Sequence, residues 1–268
     1  VKSDALRLAE SAPDPVAAGN LIREYVQASI LRSLHESRAF ESLSFVGGTA
    51  LRFLYNLPRF SEDLDFSLET PERYAPENWL KKLKRDLGFQ GFDATISLND
   101  KNVVQVAWVR IADLLYPASL APSREKKLAI KLEIDTEPPA GARFETKMVT
   151  RYLLFGIRHH DLSSLMAGKI RAMLTRPYAK GRDWFDLLWY ASQIPAVEPN
   201  MALLSNALAQ VSPGHESAIQ ASEWKEALAA KLESLNFEAL QADVEPFLER
   251  RADTAVLNEF ALRVAISK

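Results

Sequence analysis

The 268-residue chain contains no cysteine, which excludes disulfides and thiolate-held metals. It has no apolar run approaching the roughly 18 residues of a membrane span, and its opening stretch VKSDALRLAE lacks the apolar core of a signal peptide. The expectation is a cytoplasmic protein with no membrane partner. Excess positive charge is missing too: 33 Lys and Arg stand against 35 Asp and Glu, a net charge of -2. The chain therefore does not coat nucleic acid through bulk charge, and any polyanion contact must be local. No Gly-x-Ser-x-Gly elbow and no Walker-type Gly-Lys-Ser/Thr loop occur, and the four histidines show no zinc-type spacing. Serine hydrolase, P-loop and zinc-enzyme readings are left without support.

What is present describes a folded protein. Hydrophobic residues make up 47% and charged residues 25%, with no low-complexity tract or internal repeat. The length accommodates two domains, each with its own core. Charge is segregated along the chain. Lys169 to Arg182 carries five cations (Lys169, Arg171, Arg176, Lys180, Arg182) and no acid, whereas Glu216 to Asp253 carries nine acids and four bases. A polyanion would be received near the former.

The first half alternates helices and strands. APDPVAAGNLIREYVQASILRSLHES reads as a helix capped by Asp14 with Pro15 in its first turn, and ENWLKKLKRDLGF as an amphipathic helix. Leu43 to Val46, the stretch after Ser61, DATISLN, VVQVAWVRIA, KLAIKLEID and a segment near Tyr152 to Ile157 read as strands of one sheet. From DLSSLMAGKIRAML onward only helices are expected. The prediction is an α+β chain: a mixed-sheet domain over residues 1–160 with flanking helices, then a helical domain over 161–268.

Four segments carry candidate chemistry. In SEDLDFSL, Leu64, Phe66 and Leu68 share one strand face and Asp63, Asp65 and Ser67 the other, so the two carboxylates lie about 6 to 7 Å apart along the strand. Like charges that close call for a neutralising cation, for which a hard divalent ion with oxygen ligands is suited; a solvated strand edge is the alternative. Gly47-Gly48-Thr49, between a strand and a helix, allows close backbone approach and offers helix N-terminal amides and a hydroxyl to phosphate oxygens, or forms an ordinary turn. IKLEID places Lys131, Glu133 and Asp135 on one face, giving Glu133 as third carboxylate with Asp135 in reserve, or a salt bridge through Lys131. In MAGKIRAML, Lys169 falls within the apolar stripe and must snorkel out or meet an anion, either a triphosphate or a structural carboxylate. GRDWFDLLWY sets Asp183 and Asp186 on one helix face, for a polar role or for capping.

Taken together, GGTALRFLYNLPRFSEDLDFSL, IKLEID, MAGKIRAML and GRDWFDLLWY resemble the AbiEii family of nucleotidyltransferase toxins, which includes the MenT toxins. The resemblance spans roughly residues 40–190 and implies a polymerase-β-like nucleotidyltransferase fold. It implies NMP transfer from an NTP with Mg²⁺ or Mn²⁺, the 3′ end of tRNA as acceptor, and a toxin of a toxin–antitoxin or phage-defence pair with a cognate antitoxin. Position by position, Gly47, Gly48 and Thr49 match the family's phosphate-binding turn, Asp63 and Asp65 its metal pair, and Arg59 and Ser61 the Arg-x-Ser-x-Asp-x-Asp form. Lys169 matches the lysine that holds the triphosphate, and Asp183, with Asp186 as the alternative, the later acidic motif. Arg176, Lys180 and Arg182 are candidates for guiding a polyanionic acceptor. Transfer to a protein or small molecule, or nucleotide binding without catalysis, are the alternative readings.

Overall fold

A computed structural model describes residues 1–211 and 219–267; Glu216, where the acidic stretch begins, lies outside them. Among the described residues no helix is long and apolar enough to cross a membrane. The chain forms two compact units, the first made of Val1–Asn56, Phe60–Pro138 and Glu145–His159, the second of Leu57–Arg59, Pro139–Phe144 and His160–Lys268.

The first unit opens with helices α1 (Lys2–Glu10) and α2 (Pro15–Glu36), then β1 (Leu43–Val46), α3 (Gly47–Tyr55), β2 (Leu64–Leu68) and α4 (Pro76–Phe89). Strands β3 (Asp93–Asn99), β4 (Val104–Ala112), β5 (Leu128–Asp135), β6 (Phe144–Val149) and β7 (Phe155–His160) complete a seven-stranded sheet in the order β3-β4-β5-β2-β1-β7-β6. The sheet is mixed: β2 runs parallel to β5 and β1 parallel to β7, while β1–β2, β3–β4 and β4–β5 are antiparallel. Period-two alternation gives it two unlike faces. Leu64, Phe66, Ile130, Leu132 and Ile134 are buried on one, where Leu34 of α2 and Trp79 of α4 meet them. Asp65, Lys131, Glu133 and Asp135 lie on the other.

Helix α2 forms as its sequence predicts, with the Asp14 carboxylate accepting from the amides of Val16 (2.8 Å) and Ala17 (2.9 Å) and Pro15 in the first turn. Two strand expectations need revising. Strand β7 begins at Phe155 instead of Tyr152, because Tyr152 has φ +62° and cannot continue an extended strand. Strand β6, absent from the expectation, is a sheet-edge strand exposed along most of its length. Its alternation, Phe144 and Met148 against Glu145 and Lys147, is short and directly follows the Pro- and Gly-containing TEPPAGAR, which leaves only a weak signal.

One buried ion pair fastens α3 to α2. Arg52 Nε donates to Glu24 Oε1 at 2.6 Å with both side chains at most 3% exposed. Tyr152 donates its hydroxyl to Glu24 Oε2 at 2.7 Å, and the Arg52 guanidinium also lies over the Phe60 ring. Burial, followed by the Glu24 charge, raises the Tyr152 phenol well above its usual range, so it remains a donor.

The second unit is helical: α5 (Leu162–Thr175), α6 (Gly181–Ala191), α7 (Met201–Val211), α8 (Trp224–Leu232), α9 (Phe237–Val244) and α10 (Glu259–Ser267). Its core contains Trp184, Tyr190, Leu204, Leu228 and Leu262. Helix α5 is capped at both ends, by Asp161 accepting from the Ser164 amide (2.7 Å) and by Lys231 of α8 donating to the carbonyls of Met173 (2.8 Å) and Leu174 (2.7 Å). Helices α6 and α9 approach so closely at Gly181 that a Cβ there would overlap the Leu240 carbonyl.

Because Glu24→Ala strands the Arg52 charge in the interior, it should destabilise the protein by about 3 to 5 kcal/mol. Equilibrium denaturation checks this, and a loss below about 1 kcal/mol would show that the pair is not the anchor of α3.

Candidate active site

The carboxylate face of the first unit is assembled by three strands. Val46, the last residue of β1, is opposite Asp65, and Asp65 is in turn paired with Glu133 of the parallel strand β5. Asp63 precedes β2. Its backbone is held from two directions: the buried Gln27 amide of α2 donates to the carbonyls of Ser61 (3.0 Å) and Glu62 (2.9 Å), and the Thr49 hydroxyl donates to the carbonyl of Asp63.

Lys131 lies among these acids. Its ammonium is 3.0 Å from Glu133 Oε2 and 3.4 Å from Asp63 Oδ2, so the salt bridge that IKLEID allowed is formed. Burial works against the Lys131 charge, but Glu133 and Asp63 outweigh it and raise the lysine above its ordinary range. Burial raises the Asp63 carboxyl, with Glu133 and Glu62 adding to the shift and Lys131 opposing it. Asp135, opposite Ser67 two residues further along β5, accepts from the Glu137 amide at 3.1 Å in the turn after the strand.

The turn beside this face requires its first glycine twice over. Gly47 has φ +78°, and a Cβ there would overlap the Asp65 carboxylate. Gly47 and Gly48 are also the first residues of α3, whose N-cap, Val46, makes no side-chain hydrogen bond to the helix. The helix's first amides thus lie next to Asp65, and a helix N-terminus is a setting in which backbone donors bind phosphate oxygens. Thr49 is fully buried, and its hydroxyl proton goes to Asp63.

Hard oxygen donors are what Mg²⁺ or Mn²⁺ takes, and this face carries three carboxylates, two of which, Asp63 and Glu133, already hold the Lys131 ammonium. Among the described residues no group of three or more His, Cys, Asp or Glu is placed so that it could hold a metal ion. Mg²⁺ is ordinarily held by one or two carboxylates plus substrate phosphates and water. In donor chemistry these carboxylates fit the ion; as placed, they do not make up a complete metal site.

The second unit collects the remaining charged motifs. Arg59 is pinned by a bridge to Leu248 and makes a bidentate, fully buried contact with Asp186, at 2.7 and 2.6 Å. Lys169 Nζ is 2.8 Å from both Asp183 Oδ1 and Asp186 Oδ2, and Arg176 binds the other Asp183 oxygen. Burial raises the Asp183 carboxyl, but Lys169 and Arg176 outweigh it and leave the group below its ordinary range. For Lys169, burial acts against the charge while Asp183 and Asp186 prevail and raise its pKa. The lysine in the apolar stripe thus meets carboxylates, and Asp183 spends its charge on side chains instead of capping α6.

Of the cations expected to guide a polyanion, Arg182 lies over Phe247, 4.1 Å from the ring centroid, and its amide donates to Asp243 (3.2 Å). Lys180 sits where burial first, and then Arg182, pulls its pKa down. Sequence reasoning missed Glu24 and Gln27. Both are polar residues one turn apart inside the apolar stretch of α2, and that contrast was the available signal.

The family model described as "Nucleotidyl transferase AbiEii toxin, Type IV TA system" matches residues 29–259. The chain belongs to the AbiEii nucleotidyltransferase toxin family. AbiEii proteins are the nucleotidyltransferase toxins of type IV toxin–antitoxin systems, and membership implies a cognate antitoxin. Two solved H. pylori proteins share the fold. One, a nucleotidyltransferase candidate, is 20% identical with a TM-score of 0.55 and 92% of each chain covered. The other, JHP933, is 19% identical with a TM-score of 0.52, covering 92% of this chain and 90% of its own. The α+β, nucleotidyltransferase-like mixed sheet is therefore shared with them. No curated protein matches the chain.

The Asp183 shift sets a pH dependence. A carboxyl whose folded pKa lies below its ordinary value of 3.8 stabilises the fold above that pH and loses the contribution as pH falls through the folded value. Acid unfolding followed by circular dichroism should accordingly show a shallower loss below about pH 4 for Asp183→Asn than for the parent chain. Identical acid limbs would contradict the ion pairing.

Proposed function

We propose that this AbiEii protein transfers the NMP of an NTP to a hydroxyl of RNA, at the 3′ end of tRNA, with Asp63, Asp65 and Glu133 as the residues that hold Mg²⁺ or Mn²⁺. The observation that supports it best is the register of β2 and β5, which sets Asp65 beside Glu133 with the Gly47-Gly48 turn against the Asp65 carboxylate. Bound there, the cation would neutralise triphosphate charge and stabilise charge developing on the departing pyrophosphate.

The protein's own groups act by placement. The amides that open α3 donate to phosphate oxygens, and the missing Cβ at Gly47 lets the phosphates and Asp65 approach one another. Gln27 and Thr49 fix the Asp63 backbone, so both aspartates keep their spacing. The acceptor hydroxyl oxygen bonds to the α-phosphorus as the bond from that phosphorus to the bridging oxygen breaks. Pyrophosphate leaves with the electron pair, and the hydroxyl proton passes to a carboxylate of this face. Following the family pattern, Ser61 is a proposed triphosphate contact of the first unit; within the second, Arg59 and Lys169 are proposed phosphate contacts and Asp183 the partner that orients Lys169. Arg59 and Lys169 already hold carboxylates, so either would have to share its cation with a phosphate or release an acid to it.

Incubation with each α-labelled NTP, Mg²⁺ and total tRNA tests the reading. Label should enter RNA, and Asp63→Ala should reduce its rate by roughly 100-fold or more. Label on protein in place of RNA would overturn the acceptor while leaving the reaction class, and full activity of Asp63→Ala would overturn the metal assignment.

A further inference from the structure

The carboxylate face continues onto β4, and the residues there have no part in the chemistry described so far. Trp108 is paired directly with Lys131, and Val106 with Glu133. On the far side, Ser97 of β3 is opposite Trp108. Trp108 is therefore on the same face as the acids, one strand from Lys131 and two from Asp65, roughly 12 Å away at the usual strand spacing and rise. It is only partly covered, with exposed Ser97 beside it. Arg110, two residues along the same face, places its guanidinium over the indole at 5.2 Å from the ring centroid and donates to the Ser97 hydroxyl at 3.2 Å.

An indole among serine, lysine and arginine is not a core residue of this sheet; the core lies on the opposite face, around Ile130 and Leu132. Its neighbours bear on what it could bind. Arg110 supplies positive charge for a phosphodiester, Lys131 being already paired with Glu133 and Asp63, and the indole supplies a flat apolar surface held by a cation. Single-stranded RNA presents unstacked bases on an anionic backbone, and proteins recognise it by stacking those bases on aromatic rings and guanidinium planes of open sheets. A duplex, with its bases stacked inward, cannot use such a surface.

We propose that Trp108 and Arg110 form a stacking platform for a base close to the 3′ end of a single-stranded RNA acceptor. The proposal rests on the reading of the carboxylate face as the transfer site. A strand whose terminal hydroxyl reaches Asp63 and Asp65 lays a neighbouring base over Trp108 and a phosphodiester near Arg110. Trp108 is a positioning residue in this arrangement and does not touch the reacting atoms.

Fluorescence anisotropy with a labelled single-stranded RNA of about 12 nucleotides tests it on the full chain, alongside calorimetry with NTP and the labelled-NTP assay. Trp108→Ala should weaken RNA binding by roughly 5- to 100-fold and raise KM for RNA, leaving kcat and NTP affinity unchanged. Trp108→Phe should restore most of the binding, and its recovery separates loss of stacking from loss of folding. Unchanged RNA affinity in Trp108→Ala while the parent chain labels RNA would overturn the platform and leave the transfer reading standing. Trp108-dependent RNA binding with no label transferred would support the platform and overturn the transfer reading. Equal affinity for a duplex of the same sequence, or no RNA binding by the parent chain, would overturn the platform outright.

Discussion

Two strands that run in the same direction, β2 and β5, place Asp65 beside Glu133, and everything proposed for the first unit depends on that register. A one-residue slip of β2 would carry Asp63 and Asp65 to the apolar face and bring Leu64 and Phe66 out in their place. Burial of Leu64, Phe66, Leu132 and Ile134 opposes such a slip, so the hydrophobic face of the sheet fixes the polar one. The Gly47 turn, packed on the Asp65 carboxylate, adds a second lock from β1.

Charge is handled differently in the second unit. Arg59, Lys169 and Arg176 face Asp183 and Asp186, three cations against two carboxylates, and all but Arg176 are almost fully buried. Burial of charges is tolerated only when each finds a partner, and here each acid binds two cations. The cluster keeps one positive charge in excess, and the pKa of Lys180 is lowered by burial first, then by Arg182, with Arg176 and Lys169 adding to it against Asp183. Under the proposed function that surplus is what would draw a polyanion to the segment rich in Lys and Arg, even though Arg182 is engaged with Phe247 and Asp243.

Much of this was legible in the sequence where one face of an element is buried. The alternation of LDFSL and KLAIKLEID placed Asp65 and Glu133 on polar faces, and the position of Lys169 within an apolar stripe required an anion for it. Pairing across the chain was not legible. Nothing local distinguishes Glu133 from Asp135, which have the same residue class and the same face; the strand register sets Glu133 opposite Asp65 and Asp135 opposite Ser67. The fork between Arg59 and Asp186 joins residues 127 positions apart and leaves no periodic trace. Edge strand β6 was missed because its alternation is short and directly follows a Pro- and Gly-containing stretch, and the late start of β7 reflects a left-handed residue that composition does not reveal.

The central claim is that the Asp63, Asp65 and Glu133 face binds NTP together with a divalent cation. Calorimetric titration of NTP into the chain, with and without Mg²⁺, and into Asp65→Asn, tests it most directly. The account predicts NTP binding that requires Mg²⁺ in the parent chain and is lost or at least roughly 10-fold weaker in the variant. Equal affinity with and without Mg²⁺, unaffected by Asp65→Asn, would contradict it.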